Sequence, residues 1–281
     1  MNRTFILFSM LSVLFITVNA QDFQGMATYK TKRKLDIPVD STQMNSDMYK
    51  RVTEMLKKQF EKTYVLSFDK GASLYKEDKG LEAPQAAGMR MVVMTAGQSD
   101  ILYKNIKENR FTSQSEVLGK IFLVKDELET HDWTLENETK HIGDYTCHKA
   151  TKKRMIPIVE SRISFNEAID REEEEQEPEM KEVTVTAWYT MQIPVNSGPG
   201  RFHGLPGLIL EVNDGEETIV CSKIVLNPEN KVTLNEPSKG KEVNREDFNK
   251  IVQQKMKEQR EKYEHRRHDG NSQRVEIRIG G

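Results

Sequence analysis

Histidine is the side chain best suited to acid–base or metal chemistry, and the six histidines of this sequence are scattered along the chain. His265 and His268 stand three residues apart in a segment of helical periodicity, a spacing that could place two imidazoles on one face to hold a metal ion. Arg266 and Arg267 lie between them, so we interpret the pair as the solvated cationic end of a helix. The sequence therefore predicts no metal site and no cofactor.

The chain has two cysteines, Cys147 and Cys221, and both lie in segments typical of strands. In an oxidising compartment the pair would be a candidate for a disulfide, and otherwise each is a thiol that packs like a small hydrophobic residue. The sequence leaves both alternatives open because it cannot place the two Cα atoms. His148 follows Cys147, and neighbours on a strand point to opposite faces, so these two cannot form a thiolate–imidazolium pair.

Motifs that carry known catalytic chemistry are absent from the sequence. It contains no His-Glu-x-x-His, Gly-x-Ser-x-Gly, Gly-Lys-Ser/Thr or Cys-x-x-Cys pattern. We therefore assign no catalytic residue and favour a binding protein over an enzyme, with an enzyme whose groups meet only in three dimensions as the alternative.

The strongest turn signal lies between Ala187 and Glu211. Leu205-Pro206-Gly207-Leu208 suits a type II turn, in which proline fixes φ near −65° at the second position and Gly207 accepts a positive φ at the third. Gly198-Pro199-Gly200 predicts a second bend. We interpret Gly204, Pro206 and Gly207 as structural turn residues that shape a loop. The candidate ligand-binding residues at or near this loop are Trp188, Tyr189, Phe202 and His203. A hydrogen-bonded structural role is the default for His203, and core packing is the commoner role for large aromatic residues of a sheet such as Trp188 and Tyr189.

Short runs of β-branched and aromatic residues, separated by turns, predict an antiparallel meander. The predicted strands are 24–34, 64–68, 73–75, 89–94, 101–106, 110–117, 120–125, 131–135, 145–151, 183–190, 208–212, 218–225 and 275–279. Apolar residues at helical spacing predict amphipathic helices at 41–62 and 246–267. Residues 154–182 interrupt the pattern. Their acidic run at 171–179 predicts a mobile insertion, because it lacks the alternating oxygens and glycine of a calcium loop.

The first twenty residues predict export. Arg3 supplies a positive start, 5–18 is almost continuously apolar, and Val18-Asn19-Ala20 suits a signal peptidase, with Gln21 as the mature terminus. No cysteine stands at the cut, and no later segment is apolar enough to span a membrane. A net charge of −2 and a pI near 6.4 argue against nucleic-acid binding. We expect a protein of the periplasm or cell surface.

The sequence resembles the GLPGLI family of secreted Bacteroidetes proteins, named for the hexapeptide present at 204–209. Other motifs of that family follow in order along residues 24–225. They are Ser73-Leu74-Tyr75, Leu102-Tyr103-Lys104-Asn105, Trp133-Thr134-Leu135, Glu138-Thr139-Lys140, Ile142 to Thr151, Ala187-Trp188-Tyr189 and Ile193-Pro194. The acidic segment 154–182 is longer than the family's usual hairpin. The resemblance implies export and a β-rich fold but no reaction, and it implies association with outer-membrane β-barrels or TonB-dependent transport proteins.

Together these observations predict a mainly β (α+β) protein, with one curved antiparallel sheet or half-barrel, a helix in the N-terminal half and a charged C-terminal helix. Residues 21–281 would form one domain, with the helix and tail at 246–281. We expect a non-enzymatic binding or accessory protein of the outer-membrane system. The alternatives are a hydrolase or peptidase, and a structural subunit docked on an outer-membrane barrel through edge pairing of its tail, 273–279.

Overall fold

The computed structural model describes residues 23–33, 54, 61–78, 101–157 and 180–267. This part of the chain contains one sheet of twelve strands and a C-terminal helix, α1, at Arg245–Arg267. The strands are β1 Gln24–Arg33, β2 Thr63–Asp69, β3 Ala72–Glu77, β4 Ile101–Asn105, β5 Arg110–Val117, β6 Lys120–Glu127, β7 Thr134–Ile142, β8 Tyr145–Pro157, β9 Met180–Thr190, β10 Leu208–Asn213, β11 Glu217–Leu226 and β12 Lys241–Val243. The architecture confirms the predicted fold class: mainly β, with an open curved sheet and a C-terminal helix.

Strand order in the sheet is β12-β6-β5-β4-β3-β2-β1-β11-β10-β9-β8-β7. Every neighbouring pair is antiparallel except β12 and β6, which run parallel. The first strand therefore lies in the middle, where it pairs with β2 on one side and β11 on the other. It joins the meander β1–β6 to the meander β7–β11.

Alternation of side chains decides which face of the sheet carries the core. In β2, for example, Tyr64, Leu66 and Phe68 are buried while the residues between them are half-exposed. The buried side chains of one face, together with those of the β9–β10 loop, form the main core: Ala27, Tyr29, Tyr64, Leu66, Phe68, Tyr75, Cys147, Ala150, Val185, Ala187, Tyr189, Ile193, Val195, Phe202, Leu205, Leu208, Ile209, Leu210, Val212 and Ile219.

Helix α1 completes a second, smaller core over β5 and β6. Phe248 meets the ring of Phe122 edge-on, with 5.8 Å between ring centroids, and Val252 is also buried in this cluster. Asn244 caps the helix, because its Oδ1 accepts the backbone N–H of Asp247 at 2.7 Å. The cap explains why the helix begins at Arg245. None of the helices within the described residues combines the length and apolar character that crossing a bilayer requires.

Three differences from the predicted elements have local causes. Residues 131–133 are not strand, because the N–H of Trp133 donates to the carbonyl of His131 in a tight turn. β8 and β9 extend into the segment predicted as a loop, where Arg154 pairs with Val183 and Pro157 pairs with Met180, so residues 154–157 and 180–182 are strand. The three residues of β12 give too short a pattern to predict.

Other predicted elements fall largely outside the described residues. These are the helix at 41–62 (apart from the helical Glu54 and residues 61–62), the strands at 89–94 and 275–279, and residues 158–179 of the acidic segment. A mobile insertion at the acidic segment stays a prediction.

Candidate functional site

Residues 191–207 connect β9 to β10 and fold back onto the main core; we call this segment the connecting loop. Ile193, Val195, Phe202 and Leu205 are all buried, so apolar side chains anchor the loop at four points. Its backbone also joins the start of β10, because the carbonyl of Ser197 accepts the N–H of Ile209 at 3.0 Å. The loop thus has one packed conformation.

Lys104 on β4 binds the backbone of the connecting loop. Its side chain is fully buried, and its Nζ donates to the carbonyls of Gly198 at 2.8 Å, Gly200 at 2.7 Å and Phe202 at 3.0 Å. Burial lowers the pKa of Lys104 to about 7. The three carbonyls favour the ammonium, because only that form has three hydrogens to donate. A buried charge is tolerated here because the loop backbone supplies the partners that water would otherwise provide.

Two histidines and a tryptophan donate hydrogen bonds to two further carbonyls of the loop. The carbonyl of Arg201 accepts hydrogen bonds from His131 Nε2 at 3.1 Å and from His203 Nδ1 at 3.0 Å. The carbonyl of His203 accepts a hydrogen bond from Trp133 Nε1 at 2.8 Å. Lys152 Nζ donates a hydrogen bond to His131 Nδ1 at 2.7 Å, which assigns the hydrogen of this imidazole to Nε2.

Both imidazoles are neutral near pH 7. Burial, helped by the charge of Lys104, lowers the pKa of His203 to about 4. Burial is also the main cause of the lowered pKa of His131, and the charge of Lys152 adds to it. The two rings lie 4.7 Å apart, where two imidazolium ions would repel each other. Their geometry therefore suits hydrogen bonding to the loop better than proton transfer.

Lys152 on β8 lies between the aromatic rings of this site. Its Nζ is 5.4 Å from the ring centroid of Trp133 and 5.9 Å from that of Phe202, distances at which a cation is attracted to a ring face. Burial lowers the pKa of Lys152. Its nearest carboxylate oxygen belongs to Glu129 and is 4.0 Å away. We call Lys104, His131, Trp133, Lys152, Arg201, Phe202 and His203 the loop cluster.

The backbone conformations of two glycines in the loop differ from the predicted ones. Positive φ occurs at Gly204, with +95°, and not at Gly207. At Gly207 the constraint is space, since an added Cβ would lie 2.0 Å from the carbonyl oxygen of Thr190. The proposed φ > 0 at the third turn position is therefore wrong, although both glycines remain where the backbone requires them. Pro206 between them is exposed.

Arg201 belongs to this fixed backbone and is exposed at the loop cluster. Its side chain is exposed to solvent and makes no hydrogen bond or ion pair with any residue in the described part of the chain. Its Cζ lies 5.6 Å from the ring centroid of Phe202. Burial by the surrounding protein still lowers its pKa, and the charge of Arg154 acts in the same direction.

The four residues predicted to bind a ligand do not meet at one place. Phe202 and His203 belong to the loop cluster, whereas Trp188 and Tyr189 are neighbours on β9 and point to opposite faces of the sheet. Trp188 carries Lys140 Nζ 4.4 Å above its ring, and Tyr189 is buried with its ring 5.8 Å from His148.

The other candidate side chains show no catalytic arrangement in the described residues. Cys147 and Cys221 are free thiols, and burial raises the pKa of each to about 11. Within the ranges that the structure describes, no three His, Cys, Asp or Glu side chains are placed to hold a metal ion. His265 lies in α1 with its side chain outside the described part, and His268 is also outside it.

Sequence reasoning missed Lys104, His131, Lys152 and Arg201. The available signal for Lys104 was its place in the Leu-Tyr-Lys-Asn motif, where a lysine occupies a buried position of a strand. For His131, Lys152 and Arg201 no local pattern exists, because each depends on a contact between segments that are far apart in the sequence.

Three comparisons place this chain among known proteins. Residues 133–211, which include β7 to β9, the connecting loop and the start of β10, match the model of a family described as a protein of unknown function (Porph_ging). No curated protein matches the chain. Two solved structures of PNGF-II, in the C2 and P21 space groups, are similar with TM-scores of 0.47 and 0.48 at 13% identity. The similarity covers 83% of this chain but only 33% and 34% of theirs, so the chain spans about a third of their length. Membership of the GLPGLI family stays a prediction.

Proposed function

We propose that this chain is an exported protein of the bacterial envelope that binds a ligand or partner at the loop cluster and catalyses no reaction. One observation carries the proposal. The titratable side chains Lys104, His131 and His203 all bind carbonyls of the connecting loop, whereas Arg201 is exposed and makes no hydrogen bond or ion pair with the residues that the structure describes. Groups that are occupied in holding a backbone are unsuited to proton transfer or nucleophilic attack.

Rigidity of the loop supports a binding role. Lys104, His131, His203 and Trp133 fix the carbonyls of residues 198 and 200 to 203, so the loop enters a complex with little conformational entropy left to lose. Binding groups held by packed and hydrogen-bonded neighbours recognise a ligand better than groups on a mobile segment.

The apolar run at 5–18 followed by Val18-Asn19-Ala20 supports export. A role as an accessory protein of the outer-membrane system, with a β-barrel or TonB-dependent transport protein as partner, rests on the resemblance to the GLPGLI family. Mass spectrometry of the protein recovered from the envelope tests the first part. We expect a mature chain that begins at Gln21, and an unprocessed chain in the cytosol would refute export.

Photo-crosslinking in the native envelope tests binding. Asp132 is exposed beside the loop cluster, and p-benzoylphenylalanine at this position should give a discrete adduct when irradiated. The same probe in place of Lys239, which is exposed in the connection between β11 and β12, is the control and should give none. Equal adducts at both positions would contradict a localised site.

An enzyme is the competing function. Purified protein incubated with peptide, ester and glycoside substrates should show no turnover above a buffer blank. Turnover that disappears in His203→Gln, with the folded state preserved by circular dichroism, would overturn the proposal, because His203 would then act on substrate rather than on the loop.

A further inference from the structure

Arginines elsewhere in this fold show what a structural arginine looks like. Arg33 lies 3.0 Å from a carboxylate oxygen of Glu216, and Arg110 lies 2.6 Å from one of Glu236. Each guanidinium is thus matched by a carboxylate at hydrogen-bond distance, the arrangement that planar forks of donors favour. Among the residues that the structure describes, no carboxylate lies at hydrogen-bond distance from Arg201.

The cations around Arg201 are also left unmatched at hydrogen-bond distance. Arg154 is 3.8 Å from Asp214, and Arg245 is 3.8 Å from Glu129, both beyond a normal hydrogen bond. The charges of both arginines act on Arg201 and lower its pKa, so the three lie within electrostatic range of one another.

The neighbouring carboxylates are in no position to fill the gap. Asp214 is committed to its own turn, because its Oδ1 accepts the N–H groups of Glu216 at 3.1 Å and Glu217 at 2.8 Å. Glu129 is shared at 3.8 to 4.0 Å among His131, Lys152 and Arg245. The carboxyl of Glu217 has a raised pKa, caused first by burial and then by the charge of Asp214, which weakens it as a counter-ion.

We propose that Arg201, with Arg154 and Lys152 beside it, forms a binding site for an oxyanion group of the ligand, either a carboxylate or a phosphate. The inference rests on the proposed binding function and names the chemistry of its ligand. A guanidinium offers a rigid fork of donors that matches either group, and it stays charged where an ammonium is more easily neutralised.

The surroundings of the site strengthen such an interaction. Arg201 is carried by a backbone whose carbonyls are fixed on both sides of it, so little entropy is lost when an anion binds. Lys152 is partly buried between the rings of Trp133 and Phe202, and this lower dielectric increases its attraction for a bound anion. Trp133 and Phe202 form the apolar wall beside Lys152 and would contact the part of the ligand that carries the anion.

Fluorescence of Trp133 provides a direct measurement. The chain has two tryptophans, so Trp188→Phe leaves Trp133 as the single reporter. In this background, sodium phosphate and sodium acetate are titrated separately at constant ionic strength, with sodium chloride as the blank. Saturable change with phosphate alone assigns a phosphate site, and with acetate alone or with both salts assigns a site that accepts a carboxylate.

Variants connect the signal to the site. Arg201→Met should weaken binding of the active salt about ten- to a hundredfold, as expected for loss of a charge-assisted hydrogen bond. Arg201→Lys should weaken it less, because charge is kept and the fork is lost. Lys223→Met, at an exposed lysine on β11, is the matched control and should bind like the parent.

Two results would overturn the inference. One is the absence of a saturable signal with either salt, at concentrations from about 50-fold above that of the protein to roughly the millimolar range of weak sites. The other is equal affinity of the salt for Arg201→Met and for the parent. If the Asp132 crosslink persists in either case, the protein binds its partner through other contacts and the proposed function stands. Loss of the crosslink together with the anion signal would refute both.

Discussion

At the residue scale, Lys104 shows how a charged side chain becomes part of a core. Its burial would be costly in isolation, and three backbone carbonyls at 2.7 to 3.0 Å offset that cost. Those carbonyls belong to a segment more than ninety residues away in the sequence, so the lysine joins two distant parts of the chain. It is a structural residue that would be mistaken for a catalytic one by its lowered pKa alone.

We expect Lys104→Met to destabilise the fold by about 3 kcal/mol or more, because it leaves three buried carbonyls without donors. Urea unfolding followed by circular dichroism measures the change. Lys107→Met, at an exposed lysine just after β4, is the control and should stay within about 0.5 kcal/mol of the wild type. Similar midpoints for the two variants would contradict the role assigned to Lys104.

His203 makes stability depend on pH in a defined direction. Its pKa is about 4 in the folded protein and ordinarily 6.5, so the unfolded chain binds more protons between these values. The stabilisation is complete above pH 6.5 and is lost as the pH falls through 4. Over that window we expect a loss of about 3 kcal/mol attributable to this residue.

His203→Gln should remove this contribution, so that the free energy of unfolding falls less steeply from pH 6.5 to 4.5 than in the wild type. Urea unfolding at a series of pH values provides the comparison. His141→Gln, at an exposed position on β7, is the matched control. A slope in His203→Gln that equals that of the wild type would show that this imidazole takes up a proton while the loop stays folded.

At the scale of elements, the connecting loop is held by both backbone geometry and side chains. Gly204 supplies a φ of +95°, which a side chain would strain, and Gly207 permits close approach to the end of β9. Buried Phe202 and Leu205 then anchor the segment between these constraints and Lys104. Each constraint acts on a different bond or contact, and together they determine one loop conformation.

Gly207→Ala should therefore be among the most damaging single changes in the chain. Its Cβ would lie 2.0 Å from the carbonyl oxygen of Thr190, and backbone on both sides leaves no side chain to move away. We expect a loss of about 4 kcal/mol or failure to fold, measured by thermal unfolding. Gly143→Ala has a φ of +57° and open space, so it should cost about 1–2 kcal/mol. Equal costs would show that the crowding at Gly207 is relieved by a small backbone shift and would contradict the role assigned to it.

At the scale of the whole molecule, the sheet joins two meanders through β1. Cys147 on β8 and Cys221 on β11 are separated by β9 and β10, yet curvature of the sheet brings their thiols into electrostatic range, where each stays unpaired. Burial keeps both protonated.

This arrangement predicts slow chemistry at both cysteines. With pKa values of about 11, roughly a hundredfold fewer thiolates form at pH 8 than for a free cysteine, so iodoacetamide should react slowly with the folded protein. After unfolding in guanidinium without reductant, intact mass should show two added groups. No added groups before reduction, and two after it, would establish a disulfide instead.

Local patterns in the sequence determined most of the elements of this protein. Alternating β-branched and aromatic residues predicted β5 at its observed bounds and most other described strands to within a few residues, and helical spacing predicted α1. Those patterns arise from the chirality and pleat of the backbone, which act over a few residues at a time. Turn chemistry likewise indicated a shaped loop after β9, although it assigned the positive φ to Gly207 rather than Gly204.

Contacts between distant segments were decided only by the tertiary structure. The central place of β1, the three carbonyls around Lys104 and the convergence of His131, Lys152 and Arg201 each join residues that lie far apart along the chain. Such contacts depend on strand order and on the curvature of the sheet, since these decide which buried positions face one another. A lysine on a strand therefore looks like any other until the loop that surrounds it is in place.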